Sequence, residues 1–128
     1  MKELRPIQSE FTPDVAKLII YASEIGVELT FGEAYRTKAQ QMLYFFGNSI
    51  YSTGRGLKLI KANRRSWTMN SKHLERLAVD FNFFIDGKLT YDDEKLDLLG
   101  TYWESLNEKN EWGGFWKHRD TPHIQRNK

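Results

Sequence analysis

The chain has 128 residues, room for one core and too few for two of ordinary size. A hydrophobic share of 40% and a charged share of 28% exclude a disordered polyelectrolyte, and a net charge of +2 selects no class of partner. With no cysteine there is no disulfide framework, thiol nucleophile or cysteine-based zinc finger, so any metal site must use carboxylates and the three histidines.

The start, MKELRPIQSEF, lacks a signal-peptide core, and the longest uncharged apolar run, Leu18 to Ala22, is too short to span a bilayer. The expectation is a single domain over 1–128, made in the cytoplasm without a signal peptide and not inserted in a membrane. Thr12-Pro13-Asp14 reads as a helix start, with proline at the first helical position, and Val15, Leu18, Ile19 and Ala22 recur at helical spacing up to Gly26. Val27 to Tyr35 reads as a strand and Thr37 to Phe46 as a short helix.

From Gly47 to Leu74 there is no acidic residue, while Arg55, Lys58, Lys61, Arg64, Arg65 and Lys72 are basic, and the segment reads as a long loop or flap. Leu77 to Ile85 is rich in branched and aromatic residues and reads as a central strand, turned back at Asp86-Gly87. Thr90 and Asp93 resemble a capping box opening a helix to about Asn107. The tail holds a Gly-Gly turn after Trp112 and ends around Asp120 to Gln125. The expected class is α+β, a small antiparallel sheet flanked by helices.

Two stretches concentrate metal-ligand chemistry: Ser71 to Asp80, holding His73, and Asp120-Thr121-Pro122-His123. Two imidazoles and a carboxylate suffice for a catalytic zinc. Seven residues fully extended span about 23 Å, so His73 and Asp80 can meet only if the chain turns between them, at Glu75-Arg76. Pro122 makes the entry to His123 extended, which places Asp120 in the turn before a strand, where a general base belongs. The same residues also admit a packed histidine, an Asp80 paired with an arginine, and an Asx turn closed by proline.

Ser71, His73, Ala78 and Asp80 match the S-x-H-x-x-G-x-A-x-D signature of the zinc D-Ala-D-Ala carboxypeptidase family, which includes the vancomycin-resistance dipeptidases and the L-alanyl-D-glutamate endopeptidases of phage endolysins. Asp120, Pro122 and His123 resemble its D-x-P-H block in the endolysin form, preceded by Trp112-Gly113-Gly114. Tyr35-Arg36-Thr37 with Gln41 and Tyr44 resembles its Y-R-[ST]-x-x-x-Q-x-x-[YF] block. The sequence departs from the pattern at Arg76, where the family has glycine, and at Ile124-Gln125, where Phe-Glu is commoner.

The resemblance implies a Hedgehog/DD-peptidase-like fold and zinc held by His73, Asp80 and His123. It implies Asp120 as the base that activates water and Arg36 as the cation facing the scissile carbonyl. It also implies substrate contacts at Ser71, Gln41, Trp112 and Trp67; His118, two residues before Asp120, reads as a surface residue rather than a substrate contact or a competing ligand. The expected activity is a zinc peptidoglycan peptidase acting on the stem peptide, an L-Ala-D-Glu endopeptidase rather than a D-Ala-D-Ala carboxypeptidase. It would be a monomer, reach the wall at phage-type lysis, and carry no separate wall-binding domain. A competing reading is a nucleic-acid-binding module gripping through the basic segment 55–72, without zinc. Another is a catalytically silent relative of the same fold.

Overall fold

A computed structural model describes residues 3–128. Helix α1 runs Leu4–Glu24 and buries Phe11, Leu18 and Ala22 at helical spacing, with Leu4 and Ile7 packed against the same core. It therefore begins nine residues before the expected first helical position, and Pro13 lies inside it. Proline removes one backbone donor there, and the Thr12 hydroxyl donates to the Gln8 carbonyl (3.0 Å) in the same turn. Burial of the Leu4–Ile7–Phe11 stripe, at roughly 1.5–3 kcal/mol per fully buried large side chain, outweighs the local breaking tendency.

Strand β1 covers Glu28–Phe31 only, shorter than expected, and the chain then runs irregularly to α2, Lys38–Phe46. Thr37 caps α2 by accepting from the Gln40 N–H (3.1 Å). The segment after it is not a continuous loop. Strands β2, Asn48–Ser52, and β3, Leu57–Lys61, form a separate two-stranded ribbon, and the irregular flap is confined to the residues after β3.

Strand β4, Ala78–Ile85, is the centre of the main sheet, whose order is β1-β4-β7-β6 with β5, Lys88–Thr90, also on β4. Helix α3 is Glu94–Leu106, capped by Asp93, which accepts from the Lys95 N–H (2.9 Å), so the helix starts after Asp93 and not at Thr90. Strands β6, Asn110–Trp112, and β7, His123–Arg126, complete the sheet. All pairings are antiparallel. The α+β class and the small antiparallel sheet therefore hold.

The two faces of this sheet have different work. Val79, Phe81 and Phe83 of β4 enter the core with Ile124, Trp112, Trp103 and the apolar sides of α1 and α3. Under the core, Arg126 is 2% exposed and pairs with Asp14 of α1, while Asn110 donates to Asp14 (3.3 Å). The opposite face carries the polar members of the same strands.

Candidate metal centre

Asp80 projects from β4 on the face opposite Val79 and Phe81, and its cross-strand Cα partner is His123. The two side chains therefore share one face. His73 arrives from a 3-10 turn, Lys72–Glu75, capped by Ser71, whose hydroxyl accepts from the His73 N–H (3.2 Å). The chain reverses at Arg76 with φ of 57°, a left-handed conformation costing a non-glycine residue roughly 1–2 kcal/mol. Its guanidinium lies 3.9 Å from the Tyr35 ring centroid, a stacking that offsets part of that cost.

One ligand atom from each of His73, Asp80 and His123 lies within 4.8 Å of the others. His73 Nε2 is 3.3 Å and His123 Nδ1 is 3.2 Å from Asp80 Oδ1. A tetrahedral ion with bonds near 2.1 Å separates its ligands by about 3.4 Å, so the spacing fits. The chemistry fits too. His73 Nδ1 donates to the Ala34 carbonyl (2.7 Å), which leaves the Nε2 lone pair facing a carboxylate. Two acceptors held that close call for a cation between them.

Electrostatics agrees. Burial pushes Asp80 upward, but the two imidazoles beside it, His123 and His73, outweigh burial and hold its carboxyl well below the usual carboxylate range. Burial lowers His123, yet its bonds to Asp80 and Gln125 and the charge of Asp80 raise it above 6.5.

Asp120 precedes β7, as expected, and its N–H donates to the Gly113 carbonyl (2.8 Å). A Cβ on Gly113 would sit 2.3 Å from the Asp120 carbonyl, so this close approach requires glycine. Partial burial of its carboxyl raises the Asp120 pKa above 3.8; His123 pulls it back, and Asp80 adds to the rise. Of two adjoining depressions, of about 380 and 290 Å³, the smaller is lined by all three cluster residues, and both are lined by Asp120, Asp80, Arg36 and Arg65.

Arg36 is held by Glu33, by Gln41 Oε1 (2.7 Å) and by Ser71 Oγ (3.4 Å), over the Tyr44 ring. Ser71 lines the cleft. Three expected substrate contacts stand elsewhere. Gln41 is 0% exposed, bonded to Arg36, Ser66 and the Thr68 carbonyl, so it braces the flap. Trp112 is 2% exposed because its partner across β6–β7 is Ile124, which puts its ring on the core face against Gly100. Trp67 is 77% exposed on the flap, with Arg64 over its ring, outside both depressions. His118 is exposed and outside the cluster.

The residues missed from sequence are Trp116, which lines the cleft 5.2 Å from the His123 ring, Glu33, which holds Arg36, and Gln125. Trp116 follows the Gly-Gly turn, a signal that pointed to the segment but not to the residue. Among the described residues no helix is long and apolar enough to cross a membrane.

Residues 64–126 match the family model described as D-alanyl-D-alanine carboxypeptidase. No curated protein sequence matches the chain. The L-Ala D-Glu endopeptidase ChiX of Serratia marcescens has a similar crystal structure, with a TM-score of 0.60 and 24% identity over 90% of this chain and 79% of that one. So does a mutant of the vancomycin-resistance D,D-pentapeptidase VanY from a VanB-type cassette, in complex with Zn(II), with a TM-score of 0.54 and 16% identity over 91% of this chain and 70% of that one. Both likenesses are in fold.

Proposed function

We infer from the match of residues 64–126 to the D-alanyl-D-alanine carboxypeptidase family model, together with the His73–Asp80–His123 cluster, that this chain is a zinc metallopeptidase. We propose that it hydrolyses an amide bond in the peptidoglycan stem peptide, as an L-Ala-D-Glu endopeptidase of the endolysin type. The observation that carries the reading is the convergence of His73, Asp80 and His123 beside Asp120.

His73, Asp80 and His123 would hold the ion, which when bound supplies a Lewis acid able to activate water near neutral pH. Asp120 takes the proton of the attacking water as the new C–O bond forms, and returns it to the leaving nitrogen as the C–N bond breaks. The products are a carboxylate and an amine. Arg36, fixed by Glu33 and Gln41, presents positive charge to the carbonyl oxygen as it becomes anionic. Arg65 borders both depressions and attracts the stem peptide's carboxylates.

A substrate chain that continues past the scissile bond suits a cleft in which a second depression adjoins the one that holds the cluster, which favours an endopeptidase over a terminal carboxypeptidase. The enzyme would work as a monomer on wall exposed at phage-type lysis, without a nucleic-acid partner. Mass spectrometry of purified muropeptides tests this. New D-Glu N-termini that disappear with Asp120→Ala support it. Loss of a terminal D-Ala alone moves the activity to a carboxypeptidase, and zinc binding without cleavage marks a silent relative.

A further inference from the structure

Charge is unevenly divided along the chain. Residues 34–74 hold eight of the nineteen lysines and arginines and none of the seventeen acids, so the remainder is net acidic. This cationic part comprises α2, the β2–β3 ribbon and the flap, and it also carries apolar side chains that face water.

Register pairs Ile50 with Leu59, Ser52 with Leu57 and Asn48 with Lys61, so Ile50, Leu57, Leu59 and Lys61 share one face of the ribbon. On α2, Lys38, Met42 and Phe46 recur four residues apart and form one stripe. Met42, Phe46, Ile50 and Leu59, all exposed, line one apolar groove of about 330 Å³ between helix and ribbon. Leu57, outside the groove, is 76% exposed. Phe46 packs edge-on against Phe45, and Arg64 lies over both the Phe45 ring and the Trp67 ring. The exposed Trp67 of the flap therefore borders the same patch. Gln41 and Tyr44, on another side of α2, meet Arg36, so the groove and the cleft are separate.

Aliphatic surface interleaved with cations calls for a partner that is both apolar and anionic. A second copy would bring the same cations and be repelled. A nucleic acid would take the charges but leave Ile50, Leu57 and Leu59 without a partner, since bases stack on rings. A bilayer with anionic headgroups takes both. The aliphatic side chains enter the acyl boundary, Lys38, Lys61 and Arg64 stay at the headgroups, and a tryptophan suits the interface between them.

We propose that the face built by α2 and the β2–β3 ribbon docks peripherally on an anionic phospholipid surface. The attachment needs no spanning segment, is reversible, and does not depend on the zinc reading.

The test is sedimentation of the full chain with vesicles of phosphatidylcholine alone, or of phosphatidylcholine and phosphatidylglycerol in equal parts. Binding to the mixed vesicles, weakened by added salt, and none to pure phosphatidylcholine is expected. Lys38→Gln and Lys61→Gln should each weaken the partition coefficient about fivefold. Leu57→Ser with Leu59→Ser should weaken it about tenfold or more. Circular dichroism checks that each variant folds, and Leu57→Ser alone carries the comparison if the double variant does not.

No binding to mixed vesicles at low salt overturns the proposal, as does binding that the serine variants leave unchanged. Tighter binding to a single-stranded oligonucleotide than to mixed vesicles also overturns it and assigns the face to nucleic acid. A dimer that the serine variants dissociate overturns it in favour of a second copy.

Discussion

Asp80 and His123 are Cα partners across β4 and β7, with His123 Nδ1 3.2 Å from Asp80 Oδ1. The relationship is one of parity. A slip of β7 by one residue would carry His123 into the core and bring Ile124 to the cleft, dismantling the core and the centre together.

The pair sets the pH response of the metal-free protein. His123 is raised above 6.5, so its contribution to stability is complete below 6.5 and is lost as pH rises through the higher folded value. Asp80 is depressed, so its contribution is present above 3.8 and is lost as pH falls through its lower folded value. The Tm of metal-free protein should therefore fall on the alkaline side of pH 6.5. Added zinc should restore it most at high pH, where its ligands carry no protons. Thermal melts across pH with and without zinc check this, and His123→Ala should flatten the alkaline fall.

Asp120 should show itself in the acid limb of the rate profile. The base must be ionised, so kcat/KM should fall as pH drops through a pKa above 3.8. Asp120→Asn should lower kcat about 10²–10⁴-fold and abolish that limb while stoichiometric zinc is retained.

Gly113→Ala should act on the same residue through the backbone. The new methyl would meet the Asp120 carbonyl, so the turn must open. The expected cost is about 1–3 kcal/mol in urea melts, with a loss of kcat larger than the change in zinc affinity.

The buried Asp14–Arg126 pair ties α1 to β7 behind the centre. Asp14→Ala leaves Arg126 buried without its partner and should cost about 3–5 kcal/mol. Glu10→Ala removes only an exposed contact to Arg126 and should cost less than about 1 kcal/mol. Denaturant midpoints separate the two.

At Arg76 two effects oppose each other, left-handed strain and stacking on Tyr35. Arg76→Ala keeps the strain and loses the stacking, while Arg76→Gly loses both. The glycine variant should be the more stable of the two by about 1 kcal/mol.

What the sequence made legible follows from which features are local. The branched and aromatic run of β4, the turn before it and the pre-strand position of Asp120 are written within a few residues of themselves, and the structure has all of them. The start of α1 was misplaced because proline is a local start signal, whereas the Leu4–Ile7–Phe11 stripe acts only through the core it meets. The β2–β3 ribbon reads as a loop because β3 is exposed along its whole length, so no buried face organises its pattern. Trp112 and Gln125 depend on register with β7, a long-range relationship no local pattern reports. The burial of Gln41 likewise depends on a flap that arrives from 25 or more residues away.

The most direct measurement is cleavage of purified muropeptide by chelator-stripped protein titrated with zinc. Activity should be absent at the start and rise to a plateau at one zinc per chain, and His73→Ala should not reach it. Full activity in the stripped protein, or an undiminished plateau in His73→Ala, would contradict a zinc peptidase built on His73, Asp80 and His123.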